Sequence, residues 1–272
     1  MTSNHHNKVT WIPEHVSSGT PMLKRERQLT SCKVDPSRKP GRADLHMHST
    51  YSDGIATIKQ ILDHVEHHTN LDAIALTDHD VIEGALRVRD LWAKGSYRFA
   101  FIVGEEVTTT EGHLLVLFIE ERIPPHLSME RSIDLVHEQG GLAIVAHPLH
   151  PLFQFSCQRE VLDRIYASRD VWLDGMETWN AGFCGIYSNR VAMSVNRQVY
   201  SWPEVGNSDA HTLNAIGSGY TEFEGTSALD VRASIETGRS VPGGRLWRMH
   251  DYLRLASHHI NKRRAARRER VA

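Results

Sequence analysis

The chain has 272 residues, 40% of them apolar and 24% charged, and a formal net charge of −2, so it is long enough for one α/β barrel and has the composition of a soluble globular protein. It contains no run of about 18 apolar residues and no apolar signal segment, which excludes a membrane-spanning class and predicts a cytoplasmic protein. Three widely spaced cysteines indicate neither a disulfide framework nor a thiolate zinc site: Cys32, Cys157 and Cys184.

Three regions follow one another along the chain. Residues 1–41 are polar and contain four prolines, which predicts a poorly ordered extension without its own core. In residues 42–244, apolar strand-like runs alternate with helical segments, and no repeat interrupts them. This alternation is typical of one α/β domain built from βα units. Residues 245–272 are predicted to form an amphipathic, basic C-terminal tail.

The elements of the central region can be placed from hydrophobic periodicity. The predicted strands are residues 43–48, 72–77, 99–104, 114–119, 142–146, 175–178, 203–206 and 216–221. The predicted helices are residues 57–68, 82–94, 128–138, 159–167, 188–200 and 227–236. Thr57 fits the N-cap of the first helix, because apolar residues then recur on one face behind it.

The first predicted strand carries two histidines, His46 and His48, at alternate positions. Alternate side chains of a strand project from one face, so both imidazoles can face the same ion. A carboxylate, Asp53, follows a few residues later. Because an H-x-H pair can also be two solvated histidines, this motif alone leaves both interpretations open.

Further histidines and acids follow the later apolar runs, in the order T-D-H-D, G-E-E, G-H, A-H-P and S-D-A-H. In a sheet of parallel strands these runs finish at one end, where α/β barrels place their chemistry. Imidazoles and carboxylates without thiolates suit Zn, Mn or Fe, and their number exceeds what one ion can use. The candidate ligands are His46, His48, Asp53, His79, Glu106, His113, His147, Asp209 and His211.

Each of the later motifs also has a structural interpretation. His79 is compatible with a turn, His147 with a capped core histidine, and Asp209 with a helix N-cap. The agreement of all the motifs favours a metal site over these separate interpretations. His64 and His68 lie at i and i+4 on a predicted helix, but the glutamate of an HExxH metalloprotease is missing, which favours exposed histidines there.

Taken in order, H-x-H-S-x-x-S-D-G, T-D-H-D, G-x-E, G-H, A-H-P and S-D-A-H resemble the motifs of the PHP family. This polymerase and histidinol phosphatase superfamily consists of metal-dependent phosphoesterases. The resemblance covers residues 42–244, and the joint match is specific although each motif is short. It implies an α/β fold of the PHP type, a distorted TIM-like (βα)7 barrel, with two or three divalent metal ions.

The resemblance also implies how the ligands divide among the ions. The first ion is assigned to His46, His48, Glu106 and Asp209, the second to Glu106, His113 and His147, and the third to Asp53, His79 and His211. Glu106 would then bridge two ions. The family register selects Glu106 over its neighbour Glu105, which is expected to face a helix or solvent. The span from Glu106 to His113 is shorter than in the family.

The predicted activity is hydrolysis of a phosphate ester of a small metabolite, a nucleotide or a short oligonucleotide. A divalent ion lowers the pKa of water from about 15.7 to roughly 7, so a hydroxide between two ions is the expected nucleophile. The residues assigned to catalysis are Glu106, Asp209 and His211. The residues predicted to contact the substrate are Glu177, Asn180 and His150. A strand-end carboxylate such as Glu177 is equally compatible with satisfying nearby backbone.

Two other functions remain open from the sequence. A barrel with histidine and carboxylate ligands can also hydrolyse a C–N bond, and a non-catalytic domain can combine a structural metal with a nucleic-acid-binding tail. The segment from Lys262 to Arg270 contains six basic residues and one acid. Such a run binds nucleic acid or an anionic surface, or is simply a solvated helix end.

Overall fold

The computed structural model describes residues 40–269. The predicted N-terminal extension therefore lies almost entirely outside the described residues, and so do the last three residues of the chain. Its strands are β1 (Gly41–Asp44), β2 (Ala73–Leu76), β3 (Ala100–Thr109), β4 (Gly112–Leu117), β5 (Leu142–Val145), β6 (Gly175–Asn180), β7 (Glu204–Asn207), β8 (Gly219–Phe223) and β9 (Val241–Gly244). Its α-helices are α1 (Ile58–His68), α2 (Glu83–Lys94), α3 (Met129–Glu138), α4 (Arg159–Ala167), α5 (Phe183–Val195), α6 (Ala228–Glu236) and α7 (Met249–Glu269).

The strands form a single sheet in the order β7-β6-β5-β4-β3-β2-β1-β8-β9. Its two ends approach each other, since the Gly206 amide on β7 donates to the Thr221 hydroxyl on β8 at 3.0 Å and that hydroxyl donates back to the Gly206 carbonyl at 2.8 Å. The sheet is thus a nearly closed barrel surrounded by helices. The predicted TIM-like α/β fold is confirmed.

The expectation that the strands are all parallel is wrong for two of them. β4 is antiparallel to both β3 and β5, and β8 is antiparallel to both β1 and β9. The other strands point in one direction. The connection between β3 and β4 is a tight turn of two residues, 110 and 111, which is too short for a crossover helix and permits only an antiparallel hairpin.

Two clusters of buried apolar side chains lie on opposite faces of the sheet. The larger one fills the space between the sheet and α1–α5, with residues such as Ile74, Val88 and Ile133. The second uses the alternate strand positions, for example Ile102, Leu115 and Ile144, and α6 packs against it. The period-2 alternation of the strands therefore divides their side chains between the helical layer and the barrel interior.

Helix starts follow the capping residues in the sequence. Thr57 is the N-cap of α1, as predicted, and forms a reciprocal capping box with Gln60. α5 begins at Phe183, five residues before the predicted start, and continues into a single π-helical turn at Asn196–Tyr200. β9 was not predicted, because a four-residue strand with the sequence V-P-G-G lacks an apolar alternation.

The C-terminal segment packs on the barrel at its beginning. The indole nitrogen of Trp247 donates to the carbonyl of Ser208 at 2.7 Å, and the buried Asp251 carboxylate accepts from the Thr212 hydroxyl at 3.2 Å. Helix α7 continues to Glu269, but most side chains of the basic run lie outside the described residues. Among residues 40–269, no helix combines the length and the apolarity that crossing a membrane requires.

Candidate metal centre

The two histidines of the first motif lie just beyond β1, where the chain continues beside β2 and the segment after β7. Met47 forms a parallel bridge with Ala210, and its amide donates to the Thr77 hydroxyl at 3.2 Å. This pairing keeps the backbone extended, so His46 and His48 both turn toward Glu106, and their ring centroids are 5.1 Å apart. The strand-face argument from the sequence therefore places both imidazoles correctly.

Glu106 lies at the middle of the site and contacts five imidazoles. Its Oε2 atom is 3.0 Å from His46 Nε2, 3.3 Å from His48 Nε2 and 3.1 Å from His79 Nδ1. Its Oε1 atom is 2.8 Å from His113 Nδ1 and 2.9 Å from His147 Nε2. The carboxylate is buried, and its two oxygens face two different groups of histidines.

The β3–β4 hairpin brings His113 to Glu106 in spite of the short span between them. In its register Glu106 pairs with Leu115 and Thr108 pairs with His113, so Glu106 and His113 are diagonal neighbours on one face. Gly112 precedes His113 with φ +131°, and a Cβ there would lie 2.5 Å from the backbone nitrogen of Cys157. Because β4 is antiparallel, the beginning of this strand rather than its end lies at the metal-binding end of the barrel.

Asp209 closes the site from the segment after β7. Its Oδ1 atom is 3.2 Å from His48 Nε2 and 3.4 Å from His46 Nε2, and Asn180 donates to its Oδ2 atom at 3.2 Å. The residue has φ +52°, in the left-handed region that aspartate and asparagine tolerate better than most residues. This turn points the carboxylate back toward the histidines.

Asp53, His79 and His211 form the outer edge of the site. His211 Nε2 is 3.1 Å from an oxygen of Asp53, and His79 Nε2 is 3.9 Å from the other. His48 also belongs to this group, since its ring stacks on both His79 and His211 at 4.5 and 4.2 Å. All nine candidate ligands from the sequence are therefore brought together in one place.

Four groups of these residues have ligand atoms that all lie within 4.8 Å of one another. The groups are His46, His48 and Asp209; His46, Glu106 and His147; His79, Glu106 and His113; and His48, Asp53, His79 and His211. Neighbouring donors around one tetrahedral ion lie about 3.3 Å apart, which follows from metal–ligand bonds of about 2.0–2.1 Å. The spacing between the donors of this site therefore suits metal ions.

Several buried ligand atoms of the site lack a hydrogen-bond partner, which also suits metal binding. Among the described residues, His46 Nε2, His113 Nδ1 and Glu106 Oε2 have no hydrogen-bond partner, although they are buried. His46 Nε2 and His113 Nδ1 lie 3.0 and 2.8 Å from oxygens of Glu106, but neither contact has the geometry of a hydrogen bond. Buried polar atoms rarely stay unsatisfied, and a shared cation is the partner that suits lone pairs directed at one point.

Two histidines are fixed in the tautomer that a metal ligand needs. His46 Nδ1 donates to Glu177 at 3.1 Å, and His211 Nδ1 donates to the carbonyl of Asp209 at 2.9 Å. Since Nδ1 carries the proton in each ring, Nε2 offers its lone pair to the centre. Outer hydrogen bonds of this kind orient metal-binding histidines in many proteins.

The carboxylates and imidazoles of the site shift one another's pKa. Burial opposes ionisation of the carboxylates, yet the imidazoles around them hold the pKa below its ordinary range in each of the four, namely Asp53, Glu106, Glu177 and Asp209. Burial lowers the pKa of His46, but the carboxylates of Glu106 and Asp209 outweigh it and raise the pKa well above its usual value. Four ionised carboxylates need balancing positive charge, which protonated imidazoles or divalent cations supply.

Glu177 lies behind the proposed ligands and is surrounded by hydrogen-bond donors of the protein. Its side chain is buried, and its oxygens accept from the His147 amide at 2.8 Å and the Asn207 side chain at 2.9 Å as well as from His46. Its acceptor positions are thus occupied by the protein, which is typical of a residue that positions ligands, and its contact with the substrate stays a prediction. Asn180 is buried as well, and it donates to both Glu177 and Asp209.

His150 is buried next to the site, beyond the A-H-P motif. Its Nδ1 atom accepts from the Leu152 amide at 3.2 Å, while its Nε2 atom is buried without a partner among the described residues. Asp78, which precedes His79, contacts the loop after β1: its carboxylate accepts from the Ser49 and Ser52 hydroxyls at 2.6 and 2.5 Å. It therefore positions this loop rather than a histidine.

Glu105 points away from the centre, as the register requires, but it is buried instead of facing a helix or solvent. Its Oε2 atom accepts from the Ile123 amide at 3.0 Å, and Arg122 lies 3.7 Å from Oε1. Burial raises the pKa of Glu105 from 4.5 to about 8. The folded protein therefore keeps a proton on Glu105 that the unfolded chain releases near pH 4.5.

A glutamine at position 105 should remove a pH-dependent loss of stability. Wild-type stability relative to Glu105→Gln is expected to fall as the pH rises from 6 to 8, by about 1–3 kcal/mol, because each pKa unit corresponds to about 1.4 kcal/mol. Urea unfolding at the two pH values measures this change. Replacing the exposed Glu121 with glutamine is the control, and equal pH dependence of Glu105→Gln and wild type would contradict the prediction.

Sequence reasoning missed three residues that hold the site in place. Asn207 at the end of β7 donates to Glu177 and accepts from the Leu45 amide at 3.0 Å. Trp247 covers His211, with ring centroids 5.9 Å apart. The Ser208 carbonyl accepts from Trp247, and the Ser208 amide donates to the Asp44 carboxylate at 3.0 Å. Ser208 begins the S-D-A-H motif and Asn207 precedes it, but the motif does not indicate which distant side chains these residues contact.

Comparison with known proteins identifies the family. The PHP domain model matches residues 44–167, and a PHP-associated model matches residues 187–240. An uncharacterized protein of Methanocaldococcus jannaschii, MJ1587, is 35% identical over 164 residues, which are 56% of this chain and 90% of the relative. The chain belongs to the PHP family.

Solved structures share the fold at low sequence identity. A two-domain protein from Bacteroides vulgatus, described as containing a predicted PHP-like metal-dependent phosphoesterase, has a TM-score of 0.60 and 20% identity over 76% of this chain and 65% of its own. An amidohydrolase from Chromobacterium violaceum with bound sulfate and no metal has a TM-score of 0.52 and 18% identity, over 73% of this chain and 97% of its own. At such identities the likeness concerns the fold.

Proposed function

We propose that this protein is a metal-dependent phosphoesterase that hydrolyses phosphate esters. One observation carries the proposal: the buried Glu106 carboxylate contacts five imidazoles, with its two oxygens facing two different groups of them. A shared carboxylate between adjacent ligand groups suits two ions held close together, which is the arrangement that hydrolases use for phosphate chemistry. Membership of the PHP family supports the same class of reaction.

The proposed division of the ligands is the one that the PHP resemblance implies. His46, His48, Glu106 and Asp209 would hold the first ion, Glu106, His113 and His147 the second, and Asp53, His79 and His211 the third. All nine belong to the overlapping groups of neighbouring donors in the structure. His48 lies close enough to the outer group to share in the third site as well. We propose Zn, Mn or Fe, because the donors are imidazole nitrogens and carboxylate oxygens without a thiolate.

The chain's own residues then have distinct roles. When bound, two adjacent divalent ions supply a nucleophilic water at neutral pH and neutralise phosphate oxygens. Glu106 and Asp209 supply the anionic charge that holds cations in a buried place, and His211 is held by Asp53 at the open edge. Glu177 keeps the proton on His46 Nδ1, and the Asp209 carbonyl keeps it on His211 Nδ1, so both rings stay oriented.

The test compares phosphate-ester cleavage with C–N cleavage by means of chromogenic substrates, of which the esters release p-nitrophenol and the anilide releases p-nitroaniline. The purified protein is freed of metal, reloaded separately with Mn, Fe or Zn, and its bound metal is measured. Each form is assayed with p-nitrophenyl phosphate, bis(p-nitrophenyl) phosphate and p-nitroacetanilide, which report phosphomonoester, phosphodiester and C–N cleavage. We expect hydrolysis of at least one phosphate ester, with two or three ions bound and no release from the anilide.

Two results would argue against the proposal. Cleavage of the anilide without cleavage of either phosphate ester would favour a C–N hydrolase, the class named for the Chromobacterium relative in fold. Full metal loading with no activity on a wide set of esters would favour a metal-binding domain without catalysis.

A further inference from the structure

Three aromatic side chains and one histidine line a surface beside the metal centre, and we call this set the aromatic wall: Phe153, Phe183, Tyr187 and His150. The His150 ring centroid is 5.3 Å from that of Tyr187, 6.1 Å from that of Phe183 and 6.2 Å from that of Phe153. Phe183 and Tyr187 lie one turn apart on α5 and are 56% and 58% exposed. Large aromatic side chains exposed together mark a binding surface more often than a packing defect.

The aromatic wall adjoins the metal centre on two sides. The Phe153 ring centroid is 5.7 Å from that of His147 and 6.1 Å from that of His113, two of the proposed ligands. Phe183 follows Gly182, where a Cβ atom would lie 3.2 Å from Asp209 Oδ2. A molecule whose phosphate lies at the ions would therefore have its remaining part next to these rings.

His150 contributes one fixed hydrogen-bond donor to the aromatic wall. Its Nδ1 atom accepts from the Leu152 amide, so the neutral ring carries its proton on Nε2, and that buried atom has no partner among the described residues. The backbone around it is held in place, because the His150 amide donates to the Ser156 hydroxyl at 2.8 Å and Gln158 donates to the His150 carbonyl at 3.1 Å. A buried N–H without a partner is costly unless a ligand accepts from it.

We propose that the aromatic wall binds a heteroaromatic ring, such as a nucleobase, carried by the alcohol part of the phosphate ester. Phe183 and Tyr187 would stack on the ring, and His150 Nε2–H would donate to a ring nitrogen or carbonyl oxygen. The proposal rests on the proposed phosphoesterase activity and narrows it to a substrate class. Stacking on aromatic side chains tolerates different bases, so the donor rather than the stack would discriminate among rings.

The test keeps the leaving oxygen constant and varies only the ring. Adenosine 5′-monophosphate and ribose 5-phosphate both release a primary 5′-oxygen, but only the first carries a base. The measured quantity is the ratio of kcat/KM for the nucleotide to kcat/KM for ribose 5-phosphate. We expect this ratio to exceed 1 in the wild type and to fall about 10- to 100-fold in the double variant Phe183→Ala, Tyr187→Ala, the range that loss of base stacking produces.

Three further variants separate binding from structure. Val191→Ala alters an exposed residue farther along the same helix and should leave the ratio unchanged. His150→Phe removes the donor and should lower the ratio, whereas His150→Gln keeps an N–H group and should restore part of it. Saturation-transfer NMR with adenosine and with ribose measures ring contact without catalysis, so it tests the aromatic wall even if no ester is hydrolysed.

Three results would overturn the proposal. The first is a wild type that does not prefer the nucleotide and shows no saturation transfer to the adenine protons. The second is a double variant with the wild-type ratio and the wild-type transfer. The third is a double variant that changes only the oligomeric state, which would make the aromatic wall a protein contact.

Discussion

Replacing Glu106 with glutamine is expected to abolish phosphoesterase activity and most metal binding. The amide keeps the size of the side chain but cannot supply an anionic oxygen to either group of imidazoles that Glu106 contacts. Metal ions contribute several kcal/mol to such reactions, and about 1.4 kcal/mol corresponds to a factor of ten, so kcat/KM should fall by about 10³-fold or more. Elemental analysis of the purified variant should show at least one ion fewer than the wild type.

Glu105→Gln is the matched control, since it makes the same chemical change one residue away. Glu105 points from the strand toward Ile123 and Arg122 instead of the histidines. This variant should keep its metal and its turnover. If Glu105→Gln lost its ions while Glu106→Gln retained them, the inward direction assigned to Glu106 would be incorrect, together with the bridging role proposed for it.

The sequence predicts which end of the barrel holds the site, because strand faces and strand ends can be recognised from short stretches of sequence. His46 and His48 share a strand face, and apolar runs followed by histidine or acid mark strand ends in any parallel sheet. The choice between Glu105 and Glu106 needed the family register. The two residues are consecutive on one strand and point to opposite faces, and the local sequence does not indicate which face holds the site. The structure places Glu106 among the imidazoles and Glu105 under the segment that contains Ile123.

The remaining contacts of the site depend on how neighbouring strands pair, which the hydrophobic pattern of each strand alone does not encode. His113 directly precedes a predicted strand, but only the antiparallel β3–β4 hairpin explains how it reaches Glu106 over so few residues. Glu177 is predicted near the substrate because a strand-end carboxylate faces the end of the barrel that holds the site. Its partners in the structure, such as Asn207 and the His147 amide, come from two neighbouring strand ends and could not be predicted from the sequence around Glu177.

The second large effect is expected at Asp209, where asparagine is the informative substitution. Its backbone has φ +52°, which asparagine adopts readily and alanine adopts at a cost of about 1 kcal/mol. Asp209→Asn should therefore stay folded and keep the contact with Asn180, but lose the anionic oxygen beside His46 and His48. We expect kcat/KM to fall by about 10²–10³-fold, with less metal retained.

Comparison of three variants separates the charge from the backbone. Asp209→Ala should lose as much activity as Asp209→Asn but unfold at a lower urea concentration, because only alanine strains the left-handed turn. Asp170 is an exposed residue that follows the C-terminal end of α4, and Asp170→Asn should match the wild type in both measurements. Wild-type turnover by Asp209→Asn would remove this carboxylate from the ligand set. The first ion would then have only His46, His48 and Glu106, and a different donor would have to complete its coordination.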